Sequence, residues 1–490
     1  MKNQNIIFTK LIFYFRISSV WLVFTGLNFL LIECQSHQEE KSKKPTLNNS
    51  DVALATNSTF PKKSIVYNSI VCDSNMQYSY SLYLPTSFDG LKKHPVAFAF
   101  DPHGDGALPL KNFQRLADKY NYILVGSNNC KNGMPWKSIN AVAQATMKEV
   151  LLKYPVDNKR IYTVGFSGGA RVASALAIEN GMIAGVTAIG AGFQNSNANL
   201  TYNFDFFGMA GHGDFNMTEL LSLDQMLSTT TMPHYVHLYN GKHEWSPEAE
   251  MNYAFLWHDF QAMRANKISK KDTLLNQFTK QETAFIAVAR KQKNIMDEYN
   301  GLSRLVKFSE GLQDVTLYKQ QLATLAASKT IVAMQRNRQQ SQMVEEQLTK
   351  SYWKTLQEKN LEWWKNEIGK RNSKKNLPNT AAAQQNERLL GFLGLATYMQ
   401  ASDAVAKMEV EKAEKLLQIY QWLEPKNAEQ PYLKAALNSS LGNKQKALDF
   451  LKEAIELGFS DTTRLYADAH FVALKSEEQF QEMLKKIRNK

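Results

Sequence analysis

A serine hydroxyl becomes a useful nucleophile only when it is held out of the fold beside a base that takes its proton. The stretch Gly165-Phe166-Ser167-Gly168-Gly169 meets the first half of that requirement. Before it, Ile161-Tyr162-Thr163-Val164 is β-branched and aromatic and predicts a buried strand. After it, Ala170 to Ile178 is apolar and alanine-rich and predicts a helix. A serine at a sharp strand-to-helix turn presents its Oγ at the helix N-terminus. Gly165 and Gly169 leave room for that turn because they have no Cβ. The N–H of Gly168 is then free to point at a developing oxyanion, and Phe166 is expected to touch bound substrate.

The flanking chain supplies the elements that must hold this turn. Strands are predicted near Ser64–Val71, Gln77–Leu84, Pro95–Phe100, Tyr122–Val125, Met182–Ile189, Phe204–Met209 and Tyr235–Tyr239. Helices are predicted at about Pro109–Tyr120 and Ser138–Lys153 and from Pro247 onward. Strands alternating with helices imply a mostly parallel sheet sandwiched by helices. Two polar loops follow strands: Asp214 lies in Gly208–Asn216, and His243 lies in Tyr239–Ser246.

The elements, the G-x-S-x-G turn and these loops together resemble the α/β-hydrolase family over roughly residues 62–262. The resemblance implies that nucleophile, acid and base follow in the order Ser167, Asp214, His243. Asp205 and Asp224 compete for the acid's role. His103 and His212 are weaker candidates for the base, as are His94, His234, His237 and His258, with His37 and His470 further afield. The resemblance also assigns Pro102-His103-Gly104-Asp105-Gly106 as an oxyanion loop, its second donor being the N–H of Gly104 or of Asp105, with His103 near the substrate. Asp105 departs from the family's HGGG pattern. The polar loop Ser127–Trp136 is expected to border the cleft, Trp136 either lining a pocket or anchoring the core.

Within the family, the short loops and the G-F-S-G-G turn look most like esterases, polyhydroxybutyrate depolymerases and dienelactone hydrolases. No long insertion separates Ser167 from Asp214, so an open site without a large lid is expected. The implied activity is hydrolysis of an ester, from a polymer or glycan among other sources. No metal or cofactor is implied. A serine peptidase on the same fold, or a binding protein acting through its helical part, are the alternatives.

Beyond residue 262 strand signals stop. Thr273 to Arg371 contains no proline and fits two to four long helices. From residue 377 on, residues thirty-four apart match, as in Ala413 with Ala447 and Leu417 with Leu451. That period resembles tetratricopeptide repeats, which implies a protein partner or a cap for the catalytic part. The expected organisation is a signal over 1–34, a tether over 35–61, a catalytic domain over 62–262, long helices over 263–376 and helical repeats over 377–490.

The formal net charge of +12 comes from Lys and Arg interleaved with Asp and Glu, the pattern of solvated helix faces rather than a nucleic-acid groove. Cys34, Cys72 and Cys130 show no metal spacing; the last two are either a pair or buried thiols. Lys2, Lys10 and Arg16 precede an apolar run from Ile17 to Ile32, the layout of an export signal. Its end, Leu31-Ile32-Glu33-Cys34, resembles a bacterial lipoprotein signal and implies lipidation of Cys34. Glu33 departs from that pattern, which leaves plain secretion or an uncleaved anchor as alternatives.

Overall fold

A computed structural model describes residues 60–193, 202–377 and 380–488. The expected export signal, Cys34, His37 and nearly all of the expected tether lie outside the described residues. Among those described, no helix is long and apolar enough to cross a membrane.

Eight strands form one sheet: β1 (Val66–Cys72), β2 (Asn75–Tyr83), β3 (His94–Phe100), β4 (Ile123–Ser127), β5 (Val156–Phe166), β6 (Ile183–Ile189), β7 (Asp205–Gly211) and β8 (His234–Tyr239). Their order is β1-β2-β4-β3-β5-β6-β7-β8. β2 runs antiparallel to both of its neighbours and every other pair is parallel. The pairs Phe100↔Gly165, Phe166↔Ile189 and Gly211↔Tyr239 align the carboxyl ends of five strands. Loops leaving those ends converge on one edge, where open α/β sheets carry their sites.

Both faces of the sheet are covered, and strand alternation divides the side chains between them. On β3, Val96, Phe98 and Phe100 join one core while Ala97 and Ala99 join the other. The first face packs α2 (Trp136–Lys153), α3 (Gly168–Glu179) and α4 (Met217–Leu227). The second packs α1 (Ala107–Tyr120) and α5 (Glu248–Arg264). This second core runs on past residue 262. Phe278 and Phe308, from the next two helices, stack on each other with ring centroids 5.2 Å apart, and Phe308 lies equally close to Trp257.

Five helices, not two to four, occupy the proline-free stretch: α6 (Asp272–Lys291), α7 (Ile295–Ser309), α8 (Thr316–Ala326), α9 (Lys329–Glu358) and α10 (Leu361–Lys375). Three of the four breaks carry polar caps rather than proline, and the fourth, between α7 and α8, contains Gly311 at φ +78. The side chains of Asn294, Ser328 and Asn360 accept the N–H of Asp297, Ile331 and Trp363, satisfying first-turn donors that otherwise lack a partner. The chain continues through α11 (Ala381–Ala406), α12 (Val410–Leu423), α13 (Glu429–Ser440), α14 (Lys444–Glu456), α15 (Thr462–Ala467), a 3-10 turn (Ala469–Leu474) and α16 (Glu478–Arg488). α11 packs on α12 and α13 on α14. Ala413, Ala447, Leu417 and Leu451, the matched positions, are all buried where these helices meet.

Replacing Asn360 by Ala should lower stability by about 1 kcal/mol, whereas Ser should be nearly neutral, because only Ala removes the cap. Urea unfolding of the three proteins checks this.

Candidate active site

β5 ends at Phe166 and α3 begins at Gly168, so Ser167 is the whole turn between them. Its backbone is at φ 53 and ψ −120, a conformation that costs an L-residue energy and persists only where the surroundings enforce it. Two glycines supply the enforcement by allowing close approach. A Cβ on Gly165 would stand 2.1 Å from the carbonyl oxygen of Gly169, and one on Gly169 would stand 1.9 Å from that of Phe100. The Ser167 N–H donates to Ile189 O at 2.8 Å, tying the turn to β6.

His243 Nε2 lies 2.9 Å from Ser167 Oγ, and His243 Nδ1 lies 2.8 Å from Asp214 Oδ1. A carboxylate only accepts, so Nδ1–H donates to Asp214, and Nε2 is left to accept from the serine O–H. Asp214 is 1% exposed, and its Oδ1 also accepts the Asn216 N–H at 2.8 Å. The acid and base loops are bonded to each other: His212 N–H donates to Tyr239 O at 2.8 Å and Gly213 N–H to Gly241 O at 2.9 Å. The His243 ring sits between Phe166, 4.7 Å away by centroids, and Phe215, 4.0 Å away. Gly190 passes behind the pair at φ +65, where a Cβ would meet Asp214 Oδ2 at 2.8 Å and His243 Nδ1 at 3.0 Å.

The competing residues are engaged elsewhere. Asp205 binds His258 Nδ1 at 2.6 Å, and His258 Nε2 meets Thr187 Oγ1 at 2.8 Å, all three buried beneath the sheet edge. Asp224 lies 3.7 Å from His234, and His237 pairs with Glu250 at 2.6 Å. His94 bonds the Asn121 carbonyl and His470 bonds Asp468. Burial, with the cations Arg338 and Arg388 nearby, pushes the His212 imidazole below the ordinary histidine value.

The loop after β3 is built around Asp101, which is 3% exposed. Its Oδ1 accepts the N–H of His103 at 2.8 Å and of Asp105 at 3.4 Å, while its main-chain oxygen accepts Gly104 N–H at 3.1 Å. Both of the N–H groups named as second donors are therefore turned onto Asp101, and neither Gly104 nor Asp105 lines the cleft. Asp105 Oδ1 instead accepts from Ala107 and Leu108 at the start of α1. His103 does line the cleft. The Ser127–Trp136 loop reaches the cleft through Asn132, whose carboxamide lies 1.8 Å from where a Cβ on Gly168 would be. Trp136 does not line the cleft. It is the first residue of α2, packed on the core, with its Nε1–H donating to Glu179 at 2.9 Å.

The cleft holds about 650 Å³. Ser167, Gly168, Phe166, His243, Phe215 and Asn216 line one side. Leu390, Gly391, Gly394, Tyr398, Tyr420 and Leu423 line the other. The short loops around the serine do leave it uncovered by any insertion among the described residues. The open site expected from them is nevertheless not what forms, because α11 and α12 supply the far wall. Two further residues went unnoticed in the sequence: Arg171 and Glu219 pair at 2.9 Å inside the cleft. Burial acts to raise the Glu219 carboxyl, but Arg171 outweighs it and holds the group below the usual carboxylate value.

Cys72 and Cys130 are free, buried thiols. Burial pushes Cys130 up to about 11. Among the described residues no group of three or more His, Cys, Asp or Glu side chains is arranged to hold a metal ion.

The Asp101 carboxylate, 3.5 Å from His103 Nδ1, raises the His103 imidazole above the ordinary histidine value. This interaction favours the folded state below the unfolded histidine value and is lost as pH rises through the higher folded one. An NMR titration should show His103 titrating late in the parent and returning toward the ordinary value in Asp101→Asn.

No protein-family model matches the chain, and no curated protein matches it. Solved structures similar to it include the fluorophosphonate-binding serine hydrolase F of Staphylococcus aureus, at 15% identity and a TM-score of 0.32, covering 40% of this chain and 96% of that one. The S-formylglutathione hydrolase of the same organism is 16% identical, with a TM-score of 0.32 and coverage of 41% and 99%. The feruloyl esterase module of Clostridium thermocellum, complexed with sinapinate, is 13% identical, with a TM-score of 0.32 and coverage of 39% and 84%. The strand order and directions make the fold that of an α/β-hydrolase sheet, followed by a largely helical region.

Proposed function

We propose that the protein is a serine hydrolase that cleaves carboxylic esters through Ser167, His243 and Asp214. One observation carries this reading: the unbroken hydrogen-bond chain from Asp214 through His243 to a serine in a strained turn at a helix N-terminus. His243 Nε2 takes the Ser167 proton as Oγ attacks the ester carbonyl. The tetrahedral intermediate collapses, the C–O bond to the alcohol breaks, and His243 returns its proton to the leaving oxygen. Water, deprotonated by His243, then attacks the acyl-enzyme, releasing the acid and restoring Ser167. Asp214 holds the imidazole in the required tautomer and stabilises the imidazolium.

The oxyanion is stabilised by donors already in place. Gly168 offers one, since its N–H belongs to a first helical turn and has no acceptor within the helix. We assign the second to the Asn132 carboxamide, which is packed against Gly168 and lines the cleft, its Nδ2 being the donor. This assignment replaces Gly104 and Asp105, whose N–H groups are bonded to Asp101. The apolar and tyrosine-bearing far wall suits an ester with an apolar or ring-bearing group.

Hydrolysis of short p-nitrophenyl esters tests the reading. Ser167→Ala and His243→Ala should each lower kcat by about 10⁴-fold or more, and Asn132→Ala by about 10²-fold. Gly190→Ala should impair turnover severely by displacing the acid–base pair. A parent protein that neither hydrolyses these esters nor labels at Ser167 with a fluorophosphonate would sink the proposal.

The proposal includes export, with Cys34 as the lipid attachment point. Cells fed a labelled fatty acid should incorporate it into the parent protein and not into Cys34→Ser. Equal labelling of both would remove this part of the reading.

A further inference from the structure

The geometry points to Arg388 as a positioning residue for the triad, through which the C-terminal helices form a working part of the active site. Its catalytic meaning rests on the serine-hydrolase reading above. Arg388 is 6% exposed and its guanidinium serves two masters. Nε and Nη2 bind the two oxygens of Glu345 on α9 at 2.7 and 2.6 Å. Nη1 donates to the carbonyl oxygen of His212, two residues before Asp214. One buried side chain therefore bonds the acid's loop to the helical region.

Its neighbours on α11 act on the same pair of loops. Glu387 takes Lys242, the residue before the base, at 2.9 Å. Gly391 lies against the Phe215 ring, where a Cβ would come within 3.0 Å of Cδ1, and that ring packs against His243 at a tilt. Residues 387, 388 and 391 share one helix face. A single turn of α11 thus meets the acid loop, the base loop and the ring that backs the imidazole. The planar fork of Arg is what lets one group satisfy Glu345 and the carbonyl together, and Lys has no such fork.

Arg388→Lys should lower kcat about tenfold or more while leaving KM within about twofold, since displacing reacting groups by 1 Å can cost about 10²-fold. Arg371→Lys is the matched control. Arg371 is also buried and bonds Glu367 at 2.7 Å, but it touches neither catalytic loop. It should show a comparable loss of Tm with kcat unchanged. Hydrogen exchange gives a readout independent of activity: amides in 211–216 and 239–246 should lose protection in Arg388→Lys and keep it in Arg371→Lys. Retained protection in Arg388→Lys, or the same loss in both variants, overturns the proposal. If Arg388→Lys does not fold, Glu345→Gln decides, since Glu345 lies outside the cleft and its charge anchors the guanidinium. Lost protection of 211–216 with a lower kcat supports positioning, and retained protection overturns it. A parent protein without hydrolase activity would defeat the esterase reading, while the exchange comparison would still decide whether Arg388 holds the loops.

Discussion

Everything at the carboxyl edge of the sheet depends on how closely a strand and a helix can approach at Ser167. The turn has one residue, so β5 and α3 must nearly touch, and only glycine backbone permits it. Gly165 meets Gly169, and Gly169 meets the carbonyl of Phe100 on the adjacent strand. A single methyl at either place would push the helix off the sheet and relax the serine's backbone. The strain is maintained by packing on both faces of β3, buried along its whole length, and of β5, buried from Ile161 to Phe166. The same small-residue logic recurs behind the acid–base pair, where Gly190 gives Asp214 and His243 room to meet.

The loops that bring those two residues to the serine are held from both sides. From below they are bonded to each other and to the strands. From above they meet α11, α12 and the long helix α9, elements that lie far along the chain from both loops. The cleft is consequently a boundary between a sheet that carries the nucleophile and helices that carry the opposite wall. Its chemistry is mixed in the same way: polar donors and a half-buried Arg171–Glu219 pair near the serine, leucine and tyrosine across from it.

Buried carboxylate–histidine pairs recur in this fold, and this limited what could be read in advance. Asp205 with His258 and Asp214 with His243 are chemically the same pair, and each ends at a hydroxyl. They differ in location. The first is packed under Tyr162 within the core, with no access to a substrate, while the second opens into the cleft. Burial of an ionisable pair demands that its remaining hydrogen bonds be satisfied, and Thr187 does that for His258.

The order of residue types along the chain determined the local elements. Continuous apolar runs marked the buried strands, the two glycines marked the turn at Ser167, and Asp214 and His243 were legible because each follows directly on a strand. These are short-range properties set by side-chain size, branching and period. The five helices between residues 272 and 375 were undercounted because polar caps, unlike proline, look like ordinary surface residues until a helix ends on them. Only the tertiary structure decided which N–H groups face the cleft, that Trp136 turns to Glu179, that Asn132 stands beside Gly168, and that α11 completes the site. Each of those depends on two segments far apart in sequence meeting at hydrogen-bond or van der Waals distance. No local pattern encodes such a meeting, because its energy is realised only once both segments are packed.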